Sequence, residues 1–151
     1  MSKSLPILAM LLLASACNLK STAPSATVKD AWVRIAAVPG GPAAGYFEVE
    51  INGARETVRS VTSPSGRIEM HFSATEGGVT RMQPIEEWST TQGRPIRFEP
   101  GGPHLMIFDL DPALRPGDTI QLDFRFLLAP PASVRARIVA AGETGPGHAA
   151  H

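Results

Sequence analysis

Short apolar runs that alternate with polar residues recur along most of this chain, and Gly, Pro, Asn and Asp separate them. A period of two is typical of half-buried strands, whereas helices repeat about every 3.6 residues. Many short strands at this spacing predict an all-β fold, an antiparallel β-sandwich in a single domain. The predicted strands lie near residues 29–37, 43–52, 56–62, 67–73, 78–83, 94–99, 103–110, 118–127 and 132–140.

The N-terminus has the features of an export signal. Lys3 precedes an apolar run over 5–14, which is shorter than the roughly 20 residues that a membrane-spanning helix needs. Residues 1–16 are therefore predicted to be a signal peptide. Small residues directly before Cys17 resemble a bacterial lipobox, so we expect lipidated Cys17 to anchor a periplasmic protein to a membrane. Ordinary cleavage, which would give a soluble periplasmic protein, is the alternative.

The rest of the chain divides by composition. Residues 17–27 are rich in Ser, Thr, Ala and Pro without periodicity, which predicts a flexible tether. The alternating runs fall within 28–140, which we take as the folded domain. Residues 141–151 have no apolar face to bury, so they are predicted to form a disordered tail that contains histidines.

Charge and motifs narrow the class of function. The formal net charge is zero, so no basic face indicates binding to nucleic acid. No Ser-His-Asp arrangement, phosphate-binding loop or dinucleotide fingerprint stands in a supporting context. We therefore expect a protein that is not an enzyme.

Methionines and histidines cluster in one part of the predicted domain. Beyond the leader, the methionines are Met70, Met82 and Met106, and the histidines before the tail are His71 and His104. Met106 follows His104 by two residues on a predicted strand, so both side chains leave the same face, roughly 7 Å apart. One ion could bridge them. Met70 alternates with apolar neighbours and is predicted to be in the core, with an auxiliary ligand role as the alternative.

The donor types indicate which metal this cluster would bind. Thioethers and imidazoles are soft, neutral donors, which favour Cu(I) over zinc or magnesium. Zinc sites use Cys, His and carboxylates, and blue-copper centres need a thiolate that residues 28–140 lack. The tail histidines, His148 and His151, are candidate auxiliary ligands for Cu(II), with a solvated tail as the alternative.

The spacing of the cluster resembles that of the PCuAC family of periplasmic copper chaperones. The family motif is His, ten residues, Met, twenty-one residues, His, one residue, Met. In this chain it is matched at His71, Met82, His104 and Met106. Further similarity lies in the runs Ala31-Trp32-Val33-Arg34, Ala44-Gly45-Tyr46-Phe47, Arg81-Met82-Gln83-Pro84 and Pro100 to Met106.

The resemblance implies a cupredoxin-like sandwich, expected to be monomeric, that binds Cu(I) through those four residues. It also implies delivery of copper to an acceptor, either a cytochrome c oxidase subunit for its dicopper centre or a second copper chaperone. The alternative is a metal-free β-sandwich lipoprotein that acts as an adaptor in the envelope. In that case the cluster of His and Met would be accidental.

Overall fold

The computed structural model describes residues 23–91 and 93–145, and in these ranges the chain forms strands and no helix. None of the described residues forms a helix long and apolar enough to cross a membrane. The strands are β1 (Ser25–Arg34), β2 (Ala43–Asn52), β3 (Arg55–Thr62), β4 (Arg67–Glu76), β5 (Val79–Ile85), β6 (Trp88–Thr91), β7 (Ile96–Phe98), β8 (Pro103–Phe108), β9 (Thr119–Phe126) and β10 (Ala132–Val139).

The predicted strands each have a counterpart, and the structure adds one strand, β6, that the sequence pattern does not predict. Strand β6 follows two glutamates and begins with Trp88, and its remaining residues are Ser and Thr, so no apolar alternation marks it. It is held by pairing with β3, where Val58 lies opposite Trp88. Backbone pairing, rather than its own hydrophobic pattern, therefore defines this strand.

Strand β1 begins at Ser25, inside the predicted tether of residues 17–27. Its pairing with β2 is irregular between Lys29 and Trp32, where Asp30 has a φ of 49°. Asp tolerates this left-handed conformation better than most residues do. The predicted start lies later because residues 25–27 are Ser, Ala and Thr and continue the composition of the predicted tether.

The strands form one continuous hydrogen-bonded path in the order β5-β4-β8-β2-β1-β10-β9-β3-β6, with β7 also paired to β2. The expectation of a purely antiparallel fold is wrong at one point, because β1 and β10 pair in parallel. Parallel neighbours need a long connection, and here the rest of the domain supplies it. The sheet is therefore mixed.

The path folds back on itself, so that both halves enclose the main core. Phe47 of β2 stacks on Phe98 of β7, with ring centroids 4.3 Å apart, and meets Phe124 of β9 edge-on at 4.8 Å. Strands β2 and β9 are not hydrogen-bonded neighbours, so these rings join the two layers of a β-sandwich. The all-β sandwich fold expected from the sequence is confirmed.

Candidate metal centre

Two histidines that are distant in sequence lie side by side on the outer face of the sandwich. Strands β4 and β8 are antiparallel neighbours, and their register places His71 directly opposite His104. The two ring centroids are 6.2 Å apart, with the rings tilted by 34°. Directly opposed residues on neighbouring strands share a face, so both imidazoles leave the sheet on the same side.

The two candidate methionine ligands occupy the same face. Met106 follows His104 by two residues on β8, and its partner across β4 is Glu69. Met82 lies on β5 opposite Ser73, which is two residues from His71. Diagonal neighbours in a sheet are about 7–8 Å apart at the backbone, within reach of long side chains. Three adjacent strands thus present all four predicted ligands on one face.

The most buried of the four side chains lies on the central strand β8 and the most exposed lies on the edge strand β5. His104 is 6% exposed and Met82 is 52% exposed. Between these extremes, His71 has a side-chain exposure of 13% and Met106 is also half-buried. Strand β8 is paired on both sides, whereas β5 is paired only with β4. The site therefore opens toward the β5 edge.

A tight turn determines the orientation of the His104 ring. The turn joins β7 to β8, and in it Gly102 N–H donates to the Glu99 carbonyl at 3.0 Å, while Gly101 has a φ of 86° that glycine readily adopts. His104 Nδ1 lies 2.9 Å from the Gly102 carbonyl oxygen. A carbonyl only accepts hydrogen bonds, so Nδ1 carries the hydrogen in the neutral ring. The lone pair of His104 is then on Nε2, the arrangement typical of metal-binding histidines.

His71 is held at Nε2, whereas His104 is held at Nδ1. The residue that contacts His71 is Glu69, which the sequence pattern does not mark as part of the site. His71 Nε2 lies 3.0 Å from Glu69 Oε2. Glu69 also pairs with Arg67, whose guanidinium carbon lies 4.3 Å from the ring centroid of Phe108. These hydrogen bonds, first that from His71 and then that from Arg67, lower the pKa of the Glu69 carboxyl. Strand alternation places residues 67, 69 and 71 on one face, which is the signal that could have revealed Glu69.

One nitrogen of this pair is buried and lacks a protein partner. His71 Nδ1 has no hydrogen-bond partner among the described residues. Within residues 23–91 and 93–145, no group of three His, Cys, Asp or Glu side chains is placed to hold a metal. Beside its imidazoles, this face offers the thioethers of Met82 and Met106, whereas the Glu69 carboxylate is engaged by Arg67 and His71. Such a set fits a soft ion such as Cu(I), for which a buried lone pair is a ready ligand.

The remaining predicted residues lie elsewhere. Met70 is 6% exposed and packs in the main core, opposite Leu105 and on the other face of β4 from His71. Cys17, His148 and His151 lie outside the described residues.

A small apolar cluster flanks the site on the same face. Trp32 and Tyr46 are register partners with ring centroids 4.4 Å apart. Arg34 donates to the Tyr46 hydroxyl oxygen at 2.8 Å and lies over both rings. Burial raises the pKa of Tyr46. Gly145, the last described residue, is buried against the Trp32 ring, so the described chain ends beside this cluster.

Solved structures with the same fold include a domain in a copper-bound form. The structure titled "Copper-bound PCuAC domain from PmoF2" matches with a TM-score of 0.62 and 18% identity, covering 77% of this chain and 93% of that domain. The apo form of the same domain matches with a TM-score of 0.63 and 18% identity, over 79% and 93% of the two chains. The apo PCuAC domain from PmoF1 gives 0.60 and 19%, over 77% and 94%. The predicted PCuAC-like, cupredoxin-like fold is confirmed.

The sequence relatives are described as lipoproteins. A protein of Leifsonia xyli subsp. xyli (strain CTCB07), described as "Putative lipoprotein Lxx21020", is 28% identical over 116 residues, which cover 75% of this chain and 69% of that protein. The family model described as "Putative lipoprotein LpqE-like" matches residues 26–138, nearly the whole sandwich. The chain therefore belongs to the LpqE-like lipoprotein family and has the fold of the PCuAC domains.

Proposed function

We propose that this protein is a copper metallochaperone of the bacterial envelope that binds one Cu(I) ion through His71, Met82, His104 and Met106. The observation that carries the proposal is the placement of all four side chains on one face of β5, β4 and β8, with the two histidines directly opposed. Its fold, shared with a domain solved in a copper-bound form, supports the same function.

The difference in exposure between His104 and Met82 suggests how such a site could release its cargo. Thioethers bind copper less tightly than thiolates do, so an acceptor with cysteines can draw the ion away by ligand exchange. Met82, on the exposed β5 edge, is the ligand that an incoming donor atom can replace most easily. Imidazoles must be neutral to bind copper, so acid should also release it as protons compete for His71 and His104.

The acceptor and the location are further parts of the proposal. A cytochrome c oxidase subunit that needs a dicopper centre, or a second copper chaperone, is the acceptor that we infer from the PCuAC motif. Membership of a lipoprotein family supports an envelope anchor at Cys17 and a periplasmic location. A lipid anchor would keep the copper face close to a membrane-bound acceptor.

The C-terminal tail is proposed to capture Cu(II) through His148 and His151. These histidines follow Gly145 in sequence, and Gly145 packs on Trp32 on the same face as the candidate ligands. Truncation after Gly145 should remove Cu(II) binding and leave Cu(I) uptake unchanged. Cu(II) binding that survives this truncation would contradict the role of the tail.

Anaerobic titration with Cu(I) against a competing chelator tests the main site. The full chain should take up one equivalent, and the double variant His104→Ala, Met106→Ala should take up none. Met70→Leu is the matched control, because it removes a thioether that lies in the core rather than on the metal face. If the wild-type chain takes up no stoichiometric Cu(I), or the double variant binds normally, the protein is better explained as a metal-free adaptor.

A further inference from the structure

We propose that Glu69 is a positioning residue that holds His71 in the tautomer with hydrogen on Nε2, so that His71 offers Nδ1 to copper while His104 offers Nε2. The part of this inference that concerns copper binding by His71 Nδ1 rests on the proposed function. The part that concerns the position of the hydrogen on His71 applies to the protein before any metal is bound.

The contact between Glu69 and His71 determines which ring nitrogen carries the hydrogen. Glu69 Oε2 lies 3.0 Å from His71 Nε2, and an ionised carboxylate can only accept a hydrogen bond. In the neutral imidazole, Nε2 must then be the donor, which leaves the lone pair on Nδ1. That lone pair belongs to the nitrogen that is buried and has no partner among the described residues.

Glu69 is itself held in place on the sheet. Arg67, two residues earlier on the same face of β4, pairs with its other oxygen, Oε1. The Arg67 guanidinium lies over the ring of Phe108, its register partner on β8. A cation over an aromatic ring and a carboxylate at its side restrict the rotamers of Arg67 and therefore of Glu69. The carboxylate thus reaches His71 from a supported position.

The two histidines differ in what fixes them. His104 donates from Nδ1 to the neutral carbonyl of Gly102, whereas His71 donates from Nε2 to a charged carboxylate. A carboxylate behind an imidazole raises the basicity of its other nitrogen, and loss of such a partner commonly lowers metal affinity about 10–100-fold. In the inferred site, His71 therefore binds copper through Nδ1 and His104 binds it through Nε2. His71, on β4, is the stronger donor.

Long-range ¹H–¹⁵N correlation spectra of the uniformly labelled full chain test the tautomer directly, at a pH where imidazoles are neutral. The variants His71→Gln and His104→Gln assign the signals. Without copper, His71 should show hydrogen on Nε2 and His104 hydrogen on Nδ1. Glu69→Ala should leave His71 as a mixture of tautomers, and Glu69→Gln should restore the Nε2–H form, because an amide oxygen also accepts. His71 with its hydrogen on Nδ1 in the copper-free protein would overturn the inference.

Addition of Cu(I) to the same sample tests the ligation step. The His71 Nδ1 resonance should shift on binding and Nε2 should keep its hydrogen. Glu69→Ala should weaken Cu(I) binding about 10–100-fold, and Glu69→Gln should recover part of the loss. Glu76→Ala, at the exposed end of β4, is the matched control and should bind normally. Coordination through His71 Nε2 would overturn the inference while leaving the copper site intact; no Cu(I) uptake would overturn the proposed function and the ligation step together.

Discussion

The two sides of the candidate site differ in how firmly the fold holds them. On β8, His104 lies on a strand paired with both β4 and β2, is 6% exposed, and is fixed by the Gly102 carbonyl. On β5, Met82 lies on an edge strand and is 52% exposed. Buried ligands on paired strands hold a preset geometry, whereas an exposed edge ligand can move at little cost. In the proposed copper site, we therefore expect the β8 side to retain the ion and the β5 side to exchange it.

The largest expected effect is the loss of the buried histidine. His104→Ala should lower Cu(I) affinity by more than about 100-fold, because it removes a proposed ligand rather than a residue that positions one. It should also cost roughly 1–3 kcal/mol in the free energy of unfolding, since a partly buried Gly102 carbonyl loses its donor. Chelator competition and urea unfolding measure the two effects. His71→Ala is the comparison and should lose copper with a smaller loss of stability. Normal copper affinity in His104→Ala would contradict the expectation that the β8 side of the site retains copper.

Thioether substitutions should give intermediate effects that separate affinity from exchange. Replacing Met by Leu approximately conserves volume, so each variant should lose less than about 1.5 kcal/mol of stability. Met106→Leu should mainly weaken Cu(I) binding, whereas Met82→Leu should mainly change the rate of transfer to a thiol acceptor. Met70→Leu should change neither, because Met70 packs in the core. Stopped-flow transfer to a dithiol chelator measures the rates. Copper loss in Met70→Leu, or equal transfer rates in wild type and Met82→Leu, would count against the comparison.

The smallest expected effect is a pH dependence of stability in the metal-free protein. The pKa of the Glu69 carboxyl is lowered in the folded state by hydrogen bonds from His71 and Arg67. Its contribution is therefore complete above the unfolded-state pKa of about 4.3 and disappears as the pH falls through the lower folded-state pKa. Urea unfolding at a series of acidic pH values should show a shallower loss for Glu69→Gln than for wild type. If the free energy of unfolding falls equally with pH in both proteins, the ionised Glu69 carboxylate does not contribute to stability.

The sequence predicts on which face of a strand a side chain lies more readily than it predicts which residue lies beside it on the adjacent strand. Alternation along β8 is enough to place His104 and Met106 on one face, because the strand period is two. It cannot place His71 opposite His104, because register depends on pairing between strands that are far apart in sequence. For the same reason, the alternation does not predict that β1 and β10 pair in parallel. Alternation also places Glu69 on the face of His71, but it does not specify that the two side chains form a hydrogen bond.

X-ray absorption of the Cu(I)-loaded full chain at the copper K-edge tests the four-residue site most directly. We predict a first coordination shell that contains both nitrogen and sulfur donors, two of each. The sulfur contribution should fall by half in Met106→Leu and remain unchanged in Met70→Leu. A first shell of nitrogen and oxygen donors alone, with no sulfur, would contradict ligation by Met82 and Met106 and with it the copper site proposed for this face.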